Sequence, residues 1–129
     1  VKIFDDNKCP YILMHSVSVY PCTDSECNIF MVKQLKKRYN CRVGYSGHEV
    51  GLLPSILAVA MGAEAIERHI TLDRIMYGSD QAASLEARGL EILVRDCRRI
   101  EEIIGDGHKT ISEKEKITAD KLRYFQRYR

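Results

Sequence analysis

Two histidines, His48 and His69, stand 21 positions apart, in the runs Ser46-Gly47-His48-Glu49 and Glu67-Arg68-His69. That interval is close to one strand-plus-helix repeat. It would set the two imidazoles at equivalent points on neighbouring parallel strands, about 5 Å apart laterally. The edge they share would be the C-terminal one, where α/β proteins bind ligands. So placed, two imidazoles can chelate one divalent ion and leave coordination positions for substrate oxygens. The bland alternative is two unrelated histidines, one capping a turn and one satisfied in the core, and spacing alone leaves both open.

The residues around them sharpen the question. Strand alternation puts Gly44, Ser46 and His48 on one face and Val43 and Tyr45 on the other. It likewise groups Glu67 with His69, opposite Ile66 and Ile70. A half-buried strand ending in Glu-Arg-His is costly unless its charges are paired or metal-bound. Asp80 lies in Gly78-Ser79-Asp80-Gln81, a loop expected on the same edge, where it either caps and solvates the loop or binds a ligand hydroxyl. His15 reads as a satisfied core histidine and His108, in Gly-Asp-Gly-His, as exposed.

The elements needed to carry these groups follow from apolar patterning. Residues 11–17 form a strand-length run closed by Tyr20-Pro21. Asp24 or Ser25 is the expected cap of a helix with Ile29, Val32, Leu35 and Tyr39 on one face. Residues 41–46 and 65–70 read as further strands. Pro54 opens a short helix through Met61, stopped by Gly62. Leu90, Leu93, Val94, Cys97, Ile100, Ile103 and Ile104 mark an amphipathic helix ended by Gly105, and residues 112–129 form a charged, partly helical tail. The order is strand–helix three times over, which implies a parallel sheet. Three units are too few to close an eight-stranded barrel. Either a small open sheet or the C-terminal part of a barrel fits.

The 129 residues are 45% apolar and 29% charged, enough for one core and unlike a disordered chain. A net charge of +2 does not point to nucleic acid, and the basic run Lys33 to Arg38 reads as a solvated helix face. No apolar run approaches the roughly 20 residues of a membrane helix, and residues 1–10 lack a signal-peptide pattern. A cytoplasmic protein with no membrane or nucleic-acid partner is expected. Five irregularly spaced cysteines read as reduced thiols, since Cys22 and Cys27 have no second ligand pair nearby for zinc. Gly105-Asp106-Gly107 follows a helix and is no phosphate loop.

Four blocks together resemble the sialic acid synthase family: residues 15–21 (HSVSVYP), 43–49 (VGYSGHE), 62–74 (GAEAIERHITLDR) and 78–86 (GSDQAASLE). The match runs in order from about Tyr11 to Lys109. Each block is weak alone, and the set is specific. The resemblance implies a (β/α)8 TIM barrel, of which residues 1–110 would be the C-terminal portion, about strands six to eight, with residues 111–129 a charged helical tail. The first five strands, with the family's phosphate-holding lysines, and the antifreeze-like domain are expected to be absent from this chain. Val1 then reads as a truncation, and Arg129 is compatible with a natural end. A homo-oligomer, or pairing with the missing N-terminal half-barrel, is expected.

The function so implied is metal-dependent condensation of phosphoenolpyruvate with N-acetylmannosamine or its 6-phosphate, giving N-acetylneuraminate or its 9-phosphate plus phosphate. By motif, His48 and His69 match the ligands of a catalytic manganese or magnesium ion. Ser46 and Ser18 match phosphoenolpyruvate contacts, although relatives often carry Asn at the second. Tyr20 and Asp80 match sugar contacts, and Glu67 matches an inward-facing acid beside the metal. Asp80 or Glu67 is the candidate to steer hydroxyls or water. Gly47 stands where many bacterial relatives have Asp, a form resembling the branch that uses the 6-phosphate sugar. Ala87 stands where Pro often follows. The fragment alone is expected to be inactive. Two further readings remain: another phosphoenolpyruvate-condensing nonulosonic or 2-keto-3-deoxy acid synthase, and a non-catalytic half-barrel assembly module.

Overall fold

The computed structural model describes residues 1–123, and the part of the expected tail at 124–129 lies outside them. Three strands, β1 (Ile12–Ser16), β2 (Arg42–Gly47) and β3 (Ala65–Arg68), form one parallel sheet in the order β1-β2-β3. Helix α1 (Lys2–Asp6) precedes them, α2 (Met31–Tyr39) and α3 (Leu53–Ala60) make the two crossovers, and α4 (Ala87–Ile104) and α5 (Glu113–Leu122) follow. The parallel strand–helix repetition matches the expectation from sequence.

Both crossover helices pack on one face of the sheet. Val32 of α2, Val43 and Tyr45 of β2 and Ala58 of α3 are fully buried together, with Leu13, Leu35 and Ile66 packed around them. The apolar residues at alternate strand positions therefore face the helices, as their period-two spacing requires. The opposite face carries Ser16, Ser46 and Glu67 and, among the described residues, has no helix on it. Ser16 and Glu67 are exposed there.

Gly44 sits on that open face in the central strand. A Cβ built on it would lie 2.4 Å from Met14 Sδ and 2.7 Å from the Ala65 carbonyl oxygen. Met14 can swing aside, but a backbone carbonyl cannot move without shifting β3. Gly44→Ala is therefore expected to destabilise the protein by about 1–3 kcal/mol through overpacking, more than the ~0.4–1 kcal/mol gained by stiffening the unfolded chain. Urea denaturation measures it. An unchanged midpoint would mean the strands separate more easily than their register implies.

Boundaries differ from expectation at several elements: β3 ends at Arg68 rather than at residue 70, and the largest shift is at α2. The helix assigned to an Asp24 or Ser25 cap begins only at Met31. Glu26 folds back instead: its carboxylate accepts from the Thr23 backbone amide at 2.8 Å and the Thr23 hydroxyl at 2.7 Å. That closes a separate turn, and α2 starts after it. Asn40, in the left-handed conformation, ends α2. Helix α4 starts at Ala87, earlier than its apolar stripe, and stops at Gly105 with φ 63°. Of that stripe Leu93 is buried, while Ile103 and Ile104 are exposed. The Ser112 side chain caps α5 by accepting from the Glu115 amide. No helix among the described residues is long and apolar enough to cross a membrane.

Candidate functional site

The C-terminal ends of β2 and β3 carry the site. In register Ser46 faces Glu67, and the Ser46 hydroxyl donates to a Glu67 carboxylate oxygen at 2.7 Å. Two residues further along the same face come His48 and His69, whose ring centroids are 5.3 Å apart. The sequence interval thus does bring the imidazoles together. Tyr20, from the loop after β1, packs its ring 4.1 Å from His48 and 5.7 Å from His69. Asp80, from the loop after β3, puts Oδ2 3.7 Å from His69 Nδ1. Ser18 is exposed and makes no hydrogen bond with any of these among the described residues. His15 is satisfied by the Cys27 carbonyl at 2.8 Å, and His108 is exposed in its turn, both as expected.

Each histidine is held through its main chain by the loop that follows a strand. The Cys22 amide donates to the His48 carbonyl at 3.0 Å, and the Leu85 amide to the His69 carbonyl at 2.8 Å. The two short bridges Cys22–Glu49 and Ile70–Leu85 extend the parallel pairing past the strand ends. His48 is buried, and its Nδ1 lies 2.8 Å from the Val17 carbonyl. A carbonyl only accepts, so Nδ1 is the donor, and the tautomer this selects has its lone pair on Nε2. This is the arrangement in which an imidazole serves as a metal ligand, oriented by an outer partner. The donor chemistry fits a divalent ion. No group of three or more His, Cys, Asp or Glu side chains among the described residues is placed to hold one, so further ligands would have to be substrate oxygens, water or residues beyond this chain.

Beneath the histidines lies a polar cluster whose function the motifs did not reveal. The Glu49 carboxylate pairs with Arg68 Nη1 at 2.9 Å, both side chains being 2% exposed or less. Tyr45 and Ser55 hydroxyls donate to the same carboxylate, each at 2.9 Å. Arg68 also donates to Ser55 Oγ and to the carbonyls of Glu49, Gly51 and Ala83. Its Nε is the one buried side-chain polar atom without a partner among the described residues. The signal available in sequence was the charge on a half-buried strand, but no spacing rule joins Glu49 to Arg68.

The same buried region sets an alkaline limit. Burial, then Cys27 and the Glu49 charge, hold the Tyr45 phenol well above its ordinary value of 10. The Cys22 thiol, its sulfur 3.4 Å from that of Cys27, is pushed up to about 12, chiefly by burial. Both groups bind protons more tightly folded than unfolded, so their contributions are complete below pH 9. The Cys22 contribution is lost as pH rises from about 9 to 12, and Tyr45 adds to the loss above pH 10. Urea midpoints should fall steadily over that range, less steeply in Tyr45→Phe. A midpoint constant to pH 11 would contradict the buried environment.

Three comparisons bear on what carries this site. The model of the NeuB family matches residues 1–109. The N-acetylneuraminate-9-phosphate synthase of Mus musculus is 38% identical over 123 residues, covering 95% of this chain and 33% of that protein. The N,N'-diacetyllegionaminic acid synthase of Campylobacter jejuni is 42% identical over 103 residues, 80% of this chain and 31% of that protein. The crystal structure of the N-acetylneuraminic acid (sialic acid) synthetase of Leptospira borgpetersenii, determined with citrate, superposes with a TM-score of 0.80 at 37% identity. It covers 98% of this chain and 44% of that one. The chain spans about a third of the length of these curated relatives. A family match along most of the chain, with relatives at this identity, makes it a member of the NeuB family.

Proposed function

We propose that the protein to which this chain belongs condenses phosphoenolpyruvate with N-acetylmannosamine or its 6-phosphate, releasing phosphate and forming N-acetylneuraminate or its 9-phosphate. The observation that carries the reading is the pair of imidazoles, 5.3 Å apart at one strand edge with Tyr20 and Asp80 against them. The setting is the C-terminal part of a (β/α)8 barrel. Sequential strand order with both crossover helices on one face supports it, because a doubly wound sheet is covered on both faces. Manganese or magnesium held by His48 and His69 would polarise the sugar aldehyde oxygen for attack by C3 of phosphoenolpyruvate.

The chain's own residues do the rest of what it can contribute. The Val17 carbonyl fixes the His48 tautomer. Tyr20 packs against the His48 ring and edge-on to His69, and its phenol is assigned to the sugar. Asp80, 43% exposed, has carboxylate capacity left to accept from sugar hydroxyls. Glu67, bound to the Ser46 hydroxyl, orients that hydroxyl and can direct the water that adds at C2 before phosphate leaves by C–O cleavage. Ser46 and Ser18 are assigned to phosphoenolpyruvate. The reading includes a cytoplasmic enzyme and a homo-oligomer or intact barrel as the active form.

A second reading, synthesis of a legionaminic-type acid, stands beside the first because the chain matches both kinds of synthase to a similar degree, 42% over 103 residues and 38% over 123. Phosphate release from phosphoenolpyruvate by the intact protein, with N-acetylmannosamine, its 6-phosphate and other N-acetylated hexoses in parallel, separates the two. No release with any of them would remove the function. Asp80→Ala is expected to cost about 1.5–3 kcal/mol of sugar binding, roughly 10- to 150-fold in its KM. The KM for phosphoenolpyruvate should stay within about twofold. Equal effects on both substrates would take Asp80 out of the sugar site.

A further inference from the structure

We infer that the buried Glu49–Arg68 ion pair is the positioning device of the site, fixing the separation and orientation of His48 and His69. Its members are the sequence neighbours of the two histidines: Glu49 follows His48, and Arg68 precedes His69. Side chains alternate across a strand, so these two face the helix side while the histidines face the open side. One guanidinium therefore ties the backs of both histidine-bearing segments together. It bonds the Glu49 carboxylate at 2.9 Å and the Glu49 carbonyl, clamping the backbone next to His48. It reaches Gly51 O at 2.9 Å and Ser55 Oγ at 3.0 Å, fixing the entry to α3. It also reaches Ala83 O at 3.4 Å, in the turn where the Ala83 amide and Ser84 hydroxyl both bond the Asp80 carbonyl.

The two segments that supply His48, on one side, and His69 with Asp80, on the other, thus converge on one buried side chain. The pairing is fork-dependent, because only a planar guanidinium presents donors in several fixed directions. A buried pair of this kind adds little net stability over apolar packing, so its presence beneath the histidines is better explained by the geometry it imposes. Tyr45 and Ser55 complete the acceptor side by holding the Glu49 carboxylate from two further directions.

The inference rests on the reading of His48 and His69 as metal ligands, and the test separates the two. In the intact protein, manganese affinity is measured by the loss of the free-ion electron paramagnetic resonance signal for wild type, Arg68→Lys, Glu49→Gln and His48→Ala. Val32→Ala, a buried core truncation in α2 that removes none of the pair's hydrogen bonds, controls for general destabilisation. Arg68→Lys keeps the charge and loses the fork, whereas Glu49→Gln keeps the shape and loses the charge. Either variant, folded by circular dichroism, should bind manganese roughly 10- to 100-fold more weakly, the usual cost of losing an outer partner. Val32→Ala should stay within about twofold of wild type. If Arg68→Lys fails to fold, Glu49→Gln decides alone. Wild-type affinity in the folded pair variants overturns the inference, as does an equal loss in Val32→Ala. A wild-type protein whose manganese binding ignores His48→Ala overturns the metal reading itself, and the inference with it.

Discussion

In the intact protein, His48→Ala and His69→Ala should each weaken manganese binding by more than the roughly 10- to 100-fold that an outer partner costs, and turnover should fall with it. The two imidazole centroids lie 5.3 Å apart at this edge, and no group of three or more His, Cys, Asp or Glu side chains among the described residues could hold a metal. With two proposed ligands among the described residues, losing either leaves one, which no longer chelates. The variants need not be equivalent. His48 is buried and its Nδ1 is fixed by the Val17 carbonyl, whereas His69 is about one third exposed with Asp80 3.7 Å away. His48→Ala also removes the ring against which Tyr20 packs, so it should impair sugar binding as well as metal binding. Titration of turnover with added manganese separates the effects: excess metal should partly rescue His69→Ala and leave His48→Ala impaired. Near-wild-type activity of either variant would end the assignment.

The parts of this site that lay in the sequence are those set by periodicity. The 21-residue interval between His48 and His69 equals one repeat, and alternation puts Ser46 and Glu67 on the same face. The structure realises both relations in the Ser46–Glu67 register. The NeuB motifs added identity, which spacing does not contain. Long-range side-chain partnerships were not legible. Glu49 and Arg68 are 19 positions apart and meet because both face the helix side at adjacent strand ends. The oddness of Arg between Glu67 and His69 was visible, but not its partner. The start of α2 was misjudged for a local reason: Asp24 and Ser25 have good capping chemistry, yet Glu26 closes a competing turn on Thr23. The wide apolar stripe on α4 was legible as a pattern, but the small sheet does not cover all of it.

Arg68→Met in the intact protein is expected to cost about 3–5 kcal/mol of stability, because it strands the Glu49 carboxylate where that side chain is 1% exposed. That is a large share of the roughly 5–15 kcal/mol of a typical domain. Two hydroxyls would still reach the carboxylate, from Tyr45 and Ser55, and they set the cost toward the lower end. The double variant Arg68→Met/Glu49→Leu removes both charges, so it should recover part of the loss. Full recovery is not expected. Tyr45 and Ser55 then lose their acceptor, and the carbonyls of Glu49, Gly51 and Ala83 lose their donor. Each buried group left unpaired costs about 1–3 kcal/mol where no water replaces its partner. A urea-denaturation cycle of wild type, both single variants and the double variant yields the coupling directly. Strong coupling with incomplete recovery is the signature of a charge pair embedded in a hydrogen-bonded cluster. If Arg68→Met costs less than about 1 kcal/mol, water reaches Glu49, and the cluster is not the closed unit that its burial and bonding describe.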